Sequence, residues 1–218
     1  IAELSAKELR LGGLRIDPKT NIGSRVTYYN NVKIRNLKNQ NSEIIQVKGL
    51  PKNPKLSNIS WSPDQKRIAL TNTTETGVEL WVLELENGSV TKLTESNLNS
   101  NIGSVINWFS DSENMLVKMI SNNRRPLIDT NKIVPDGPTI STNFGEKAQN
   151  RTYQDLLKNK FDEHNFEQLS TSTIYKVSID GTAKKWMDDG MYRTISFSPN
   201  GEYVMISQIN KPFSYLVR

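Results

Sequence analysis

The sequence repeats itself, and the repeat decides most of what the chain can fold into. Ile59 to Asp64 reads ISWSPD and Ile195 to Asn200 reads ISFSPN, with a weaker copy, INWFSD, at Ile106 to Asp111. Each is followed by a short apolar stretch: Arg67 to Leu70, Met115 to Lys118, and Tyr203 to Ile206. The pattern predicts strand, tight turn, strand, because Pro presets φ for a turn and an Asx side chain bonds its own backbone two residues on. A second unit follows the first. Glu79 to Thr94 (ELWVLELENGSVTKLT) predicts a hairpin turning at Asn87-Gly88, a dipeptide suited to φ > 0 at both central positions, and Thr173 to Met187 repeats the design around Asp180-Gly181. Near the start, Val32 to Leu50 gives a strand, a polar turn at Asn39, Gln40 and Asn41, and a strand. Two hairpins, hence four strands, in about 40 to 47 residues is the size of a β-propeller blade.

The copies are unevenly spaced. Trp61 to Trp108 is 47 residues, whereas Trp108 to Phe197 is 89. The excess, about one blade length, predicts an insertion between the second and third strands of one blade. Within it, Asn150 to Leu169 places Tyr153, Leu156, Leu157 and Phe161 at helical spacing, which predicts a helix from Thr152 to about Asn165, capped by Thr152 or Asn150 and packed on the blade that carries it. The expected fold class is all-β: a partial β-propeller of four-stranded antiparallel blades with a loop-plus-helix insertion. It covers 1–218 as one domain or fragment, divided into a half blade 24–50, a blade 56–95, a blade 102–120 plus 172–189, a half blade 191–218 and the insertion 121–171. Trp61, Trp81, Trp108, Ile68, Leu70, Leu83, Ile195, Phe197 and Tyr203 are the expected core between blades. Closed propellers need about four or more blades, so the chain reads as a fragment whose open sheet edges the remainder of a parent chain, or another copy, must cover.

Composition narrows the chemistry. The chain has no cysteine, which removes disulfides, thiolate metal sites and a Cys nucleophile together. No apolar run approaches the roughly 20 residues that span a bilayer, and IAELSAKELR at the start lacks the apolar region of a signal peptide. A trimmed signal would place the protein in the periplasm or outside the cell, and otherwise the cytoplasm is expected. The net charge is +5, but the 28 Lys and Arg are scattered and their densest cluster, at Arg124 and Arg125, holds two adjacent cations, so neither nucleic acid nor a membrane is an expected partner.

The ISWSPDQKRIALTN and ISFSPNGEYVMIS units resemble propeller repeats of bacterial surface-protein, TolB and prolyl oligopeptidase families. Longer runs narrow the resemblance: ELRLGGLRIDP (Glu8 to Pro18), ELWVL (Glu79 to Leu83), KAQNRTYQDLLKNKFDE (Lys147 to Glu163), MYRTISFSPNGEYV (Met191 to Val204) and KPFSYLVR (Lys211 to Arg218). Together they resemble the amino-terminal propeller of prolyl oligopeptidase family serine peptidases, in the glutamyl endopeptidase-like, dipeptidyl aminopeptidase-like branch. Arg218 departs from the pattern, where relatives carry proline. The resemblance implies further blades and an α/β-hydrolase domain bearing a Ser, Asp, His triad outside this chain.

No catalytic residue is expected here. There is no G-x-S-x-G elbow, and the single histidine, His164, lies in the polar insertion, where a triad would need it between a carboxylate and a Ser. Asp111, Ser112, Glu113 and Asn114 lack the glycine and distal Glu of a calcium loop and read as a turn. Gly12-Gly13 lacks a dinucleotide-binding frame, Asp188-Asp189 reads as a loop between blades, and no metal or cofactor is expected. If the parent cleaves after glutamate, Arg124, Arg125, Arg151 and Arg193 are the candidate substrate-binding residues, since a guanidinium takes a carboxylate bidentately. Arg151 is preferred among them because it begins the branch-specific NRTYQDLL run. Two functions stay open: a non-catalytic propeller that gates and helps bind peptide substrates for a hydrolase domain, or a stand-alone propeller module that binds a protein partner.

Overall fold

The structure, a computed structural model, describes residues 7–37, 43–129, 132 and 155–213. Its organising elements are two four-stranded antiparallel sheets, each meandering in sequence order. The first joins β6 (Leu56–Trp61), β7 (Arg67–Thr73), β8 (Val78–Glu84) and β9 (Val90–Lys92), and the second joins β10 (Ile106–Trp108), β11 (Asn114–Ile120), β12 (Ser172–Ser178) and β13 (Ala183–Gly190). The flanking units are two-stranded: β4 (Lys33–Ile34) with β5 (Ile45–Gln46) before them and β14 (Tyr192–Phe197) with β15 (Val204–Gln208) after them. A three-stranded sheet of β1 (Leu9–Leu11), β2 (Leu14–Asp17) and β3 (Ile22–Gly23) precedes all of these, and the repeat pattern had not separated it. The fold is therefore all-β, a partial propeller whose described sheets do not close into a ring.

The three sequence repeats fold into the same turn. Ser62, Phe109 and Ser198 each donate a backbone N–H to the strand that follows, at Arg67, Asn114 and Tyr203, while Gln65, Ser112 and Gly201 sit at positive φ and donate back. Asp64 accepts from Lys66 N–H and Asp111 from Glu113 and Asn114 N–H, the Asx contribution that the motif predicts. Ser62 and Ser198 cap these turns: the Ser62 hydroxyl accepts from Arg67 N–H and the Ser198 hydroxyl from Tyr203 N–H, both at 2.9 Å. At Asn87-Gly88 and Asp180-Gly181 only the glycine has positive φ, so both hairpins turn through a type I turn and a bulge, not the mirror-image turn that the dipeptides predict.

Alternation along the strands builds the packing between sheets. Val78, Leu80 and Val82 of β8 face Met115, Val117 and Met119 of β11, around Trp108. Ile68, Leu70 and Leu83 point the other way, onto Ile34 and Val47 of the first two-stranded unit. Leu116 and Ile174 meet Tyr192, Ile195, Val204 and Ile206 of the last one. The sheets thus stack side by side in chain order, as blades do. Burying each large apolar side chain contributes roughly 1.5–3 kcal/mol. Ile68, Leu70, Leu83, Trp108 and Ile195 are buried, and Trp81 and Phe197 are half-buried against these clusters. Trp61 and Tyr203, expected in the core, are exposed, because no described strand packs on the face that each presents.

The helix also differs from expectation. It runs Lys160–Ser170 (α1), starting where Asn159, in extended conformation, accepts hydrogen bonds from the Phe161 and Asp162 N–H groups. Asn150, Thr152 and Tyr153, assigned to its start from sequence, lie outside the described residues, as do Arg151, the polar turn 39–41 and the final residues 214–218. Leu157, Phe166 and Leu169 pack on Leu11 and Ile16 of the β1–β3 sheet and on Ile102 and Met191, a cluster that holds no residue of β10–β13, so the apolar face of the helix is turned to β1–β3 and the connections between blades and not to the sheet that carries it. Arg15 pairs with Asp155 at 2.9 Å, and Gly13 N–H donates to the Asp155 carbonyl at 2.8 Å, tying the β1–β2 turn to the segment before α1.

Candidate substrate-facing site

The segments that join one sheet to the next, 95–105 and 190–191, and the described residues that flank β11 and β12, 121–129 and 155–171, all lie at the same end of the sheets. Residues of β1–β3 and α1 cover that end. Asp189 fastens the insertion there, accepting from the Ser121 hydroxyl at 2.6 Å, Asn123 Nδ2 at 2.9 Å and the Thr173 hydroxyl. Burial alone would raise the Asp189 carboxyl, but the hydrogen bonds from Ser121, Thr173 and Asn123 outweigh it and hold the group below its ordinary value. Asp188 and Asp189 therefore end strand β13 and are not a loop between blades. On the other side of the segment, Asn165 brackets Ile128, accepting from its N–H at 2.7 Å and donating to its carbonyl at 2.8 Å.

Three of the four candidate arginines are described, and the structure gives each a different setting. Arg124 is the enclosed one. Its Nη1 donates to Asn21 Oδ1 in the β2–β3 turn, while buried Nε and Nη2 have no partner among the described residues. Burial lowers its pKa to about 10. Nε–H and the adjacent Nη2–H form the edge of a guanidinium that takes a carboxylate bidentately. Arg125 is exposed, its Nη2 3.7 Å from Glu167, which also pairs with Lys211 at 2.7 Å. Arg193 is exposed on β14. Arg151 lies outside the described residues.

A cleft of about 620 Å³ opens beside the β2–β3 turn, lined by Lys19, Arg25, Tyr28, Lys55, Thr73 and Glu75 among others. Lys55 Nζ lies 5.7 Å from the Tyr28 ring centroid, a cation–π distance. At the rim, Glu8 holds Arg10 and Arg25 together. Its pKa falls to about 2, first through the hydrogen bond from the Ser24 hydroxyl, with Arg10 and Arg25 adding to it against the opposing effect of burial. Sequence reasoning missed this cleft, because its residues come from three separate segments and carry no motif. The signal it left was compositional: basic residues spaced through 19–25 next to a turn.

The described residues hold no hydrolytic constellation. His164 Nε2 bonds to the Pro126 carbonyl at 3.0 Å. Ser62 and Ser198 are the turn caps described above, and no group of three or more His, Asp or Glu among the described residues is placed to hold a metal ion. Among these residues no helix is long and apolar enough to cross a membrane.

Stacked four-stranded antiparallel blades and a helix-bearing insertion define a partial β-propeller. Comparison identifies its relatives. The chain is 30% identical over 230 residues to the probable chloroplastic glutamyl endopeptidase of Oryza sativa subsp. japonica and 30% identical over 233 residues to that of Arabidopsis thaliana. Both alignments cover 100% of this chain but only 24% and 23% of the relatives, so the chain spans about a quarter of their length. The chain is homologous over its whole length to glutamyl endopeptidase-like proteins, as its motifs imply. Among solved structures, the acylaminoacyl peptidase of Pyrococcus horikoshii is 20% identical over 84% of this chain and 24% of its own, with a TM-score of 0.42. The putative TolB of Agrobacterium tumefaciens is 14% identical over 73% of this chain and 39% of its own, with a TM-score of 0.40. No family model matches the chain.

Proposed function

We propose that this chain is the non-catalytic propeller portion of a serine peptidase, gating and helping to bind peptide substrates for an α/β-hydrolase domain carried elsewhere in the parent protein. The observation that carries this reading is the full-length similarity to about a quarter of two glutamyl endopeptidases. The geometry supports a binding role at the helix-covered end. A peptide with acidic side chains meets cations there, at Lys19, Arg25 and Lys55 in the cleft and Arg124 behind the β2–β3 turn.

Of the four candidate arginines, Arg124 has the setting best suited to a carboxylate. A cation buried with two donors unpartnered is costly to the fold, and a ligand carboxylate on that edge would offset the cost. Its nitrogens are enclosed, so the ligand reaches them only when residues 121–125 shift outward. Arg151 stays on the list because it begins the branch-specific run.

The test uses the full-length parent peptidase. The first requirement is that its reading frame encode a G-x-S-x-G hydrolase domain; a frame without one leaves the protein-binding module instead. Arg124→Met should then raise KM for glutamyl peptides about ten-fold or more, the value of a charge-assisted hydrogen bond, and leave neutral substrates nearly unchanged without lowering the melting temperature. Arg151→Met is measured alongside. Equal losses on both substrates would make the residue structural, and no loss would remove it.

A further inference from the structure

The internal repeat allows the same position to be compared in successive blades. Ile59 and Trp61 of β6 correspond to Ile106 and Trp108 of β10 and to Ile195 and Phe197 of β14. Each innermost strand turns these residues toward the preceding sheet. Ile106 and Trp108 are 4% and 8% exposed, and Trp108 Nε1 donates to the Ser60 carbonyl of β6 at 3.2 Å. Ile195 is buried likewise, and the Phe197 ring lies 4.7 Å from that of Phe109, tilted by 47°. In the first blade the same positions are open, with Ile59 45% and Trp61 58% exposed.

The reason lies in the unit that precedes it. The β4–β5 pair packs on the blade through Ile34 and Val47, in one cluster with Ile68, Leu70 and Leu83 of the middle strands and with Leu56 at the start of β6. On the face of β6 turned away from β10, the described residues cover Leu56, which lies in that cluster and bridges to Tyr29, and leave Ile59 and Trp61 open. By the pattern of Trp108 on β6, a cover for Ile59 and Trp61 would be strands on the inner side of β4 with an apolar face toward Trp61 and a backbone carbonyl within reach of its indole N–H. At the far end, Met205 corresponds to Ala69 and Leu116, which are completely buried by the blade that follows them, yet it is 72% exposed.

We propose that Ile59 and Trp61 are the docking surface for an inner β-hairpin supplied by another part of the same polypeptide, which completes the blade begun by β4–β5. In it a backbone carbonyl accepts from Trp61 Nε1 as that of Ser60 accepts from Trp108. The length of the relatives selects this occupant, because this chain is about a quarter of theirs and the remainder holds room for such a hairpin. The inference requires only that the chain be part of a longer protein, and it stands or falls apart from any peptidase activity.

The experiment places the photo-crosslinker p-benzoylphenylalanine at Trp61 or at Trp108 of the full-length protein and maps the linked peptides by mass spectrometry. At Trp108 the crosslink should join β6. At Trp61 it should join a peptide of the same polypeptide outside 1–218, without a rise in mass on a denaturing gel. A link from Trp61 to a second copy, such as its 192–208 hairpin, or to a different protein overturns the proposal, as does no link where Trp108 gives one. Should the bulky residue disturb folding, Ile59→Cys decides with a smaller side chain. Alkylation in the native full-length protein should be at least about ten-fold slower than after unfolding, and equal rates overturn the proposal.

Discussion

Lys118 offers the sharpest test of how these blades hold together. It is 1% exposed in the middle of β11, and its ammonium donates to the carbonyls of Ile102, on the connection into β10, and of Tyr192, at the start of β14. No carboxylate among the described residues pairs with it, and burial lowers its pKa from 10.5 to about 8. At about 1.4 kcal/mol per pKa unit, keeping the charge buried costs on the order of 3 kcal/mol. Below pH 8 folded and unfolded chains both hold the proton, so the cost is fully present. As pH rises from 8 toward 10.5 the folded chain loses the proton while the unfolded chain keeps it, so the unfolded state binds more protons and stability rises. Lys118→Met removes the charge and leaves two buried carbonyls without their donor, a loss of about 1–3 kcal/mol. Near pH 7 the two effects largely cancel. Near pH 10, where the neutral amine still donates, the variant should be the less stable by roughly 2–3 kcal/mol. Urea unfolding of both 218-residue chains, followed by Trp fluorescence from pH 7 to 10, measures the difference. A difference that stays flat across that range refutes the desolvated-ammonium account.

Other expectations follow from single contacts. Gly103 has φ +56°, and a Cβ there would press on the Arg193 carbonyl oxygen, so Gly103→Ala should cost more than about 1 kcal/mol and lower Tm by at least about 2–4 °C in calorimetry. Asn99 Nδ2 serves the carbonyls of Leu169 at 3.0 Å and Thr171 at 2.9 Å; Asn99→Ala should speed amide exchange across Lys160–Ser170 while sparing β7 and β8. Asn159→Ala, which removes the helix cap, should cost about 1 kcal/mol by denaturant titration. The 218-residue chain alone should hydrolyse no glutamyl or acyl-peptide substrate, and activity that follows it through purification would contradict this.

The blades were legible because their turns are chemical. Ser62, Asp64, Ser198 and Asn200 each make the local bond that their residue type predicts, and the strands between them alternate cleanly. Burial was less legible, because it belongs to a neighbour. Trp61 and Trp108 share a motif, and only the sheet in front of each decides whether it is core. The helix was displaced for a different reason. Leu156 and Leu157 suit a helical period, but Leu157 packs ahead of the helix, and the start belongs to Asn159 with Asp162 three residues on, a cap signal present in the sequence and outweighed there by apolar spacing. Of the site, the arginines were legible as residue types. The enclosed edge of Arg124 and the cleft beside Tyr28 depend on contacts more than 100 and about 30 residues apart, which no local pattern records.

The packing of Leu11 and Ile16 on Phe166 and Leu169 also sets a schedule. A ribosome adding about 5–20 residues per second makes the first sheet roughly 8–30 s before the helix that covers it. Through that interval β1–β3 shows its apolar side to whatever is near. Meanwhile the blade β6–β9, complete about 75 residues sooner than the helix, can pair its strands from neighbouring sequence alone. The β1–β3 sheet is therefore sealed well after it is made, and a binding factor that holds exposed apolar strands has its opening there, before Ser170 has left the exit tunnel.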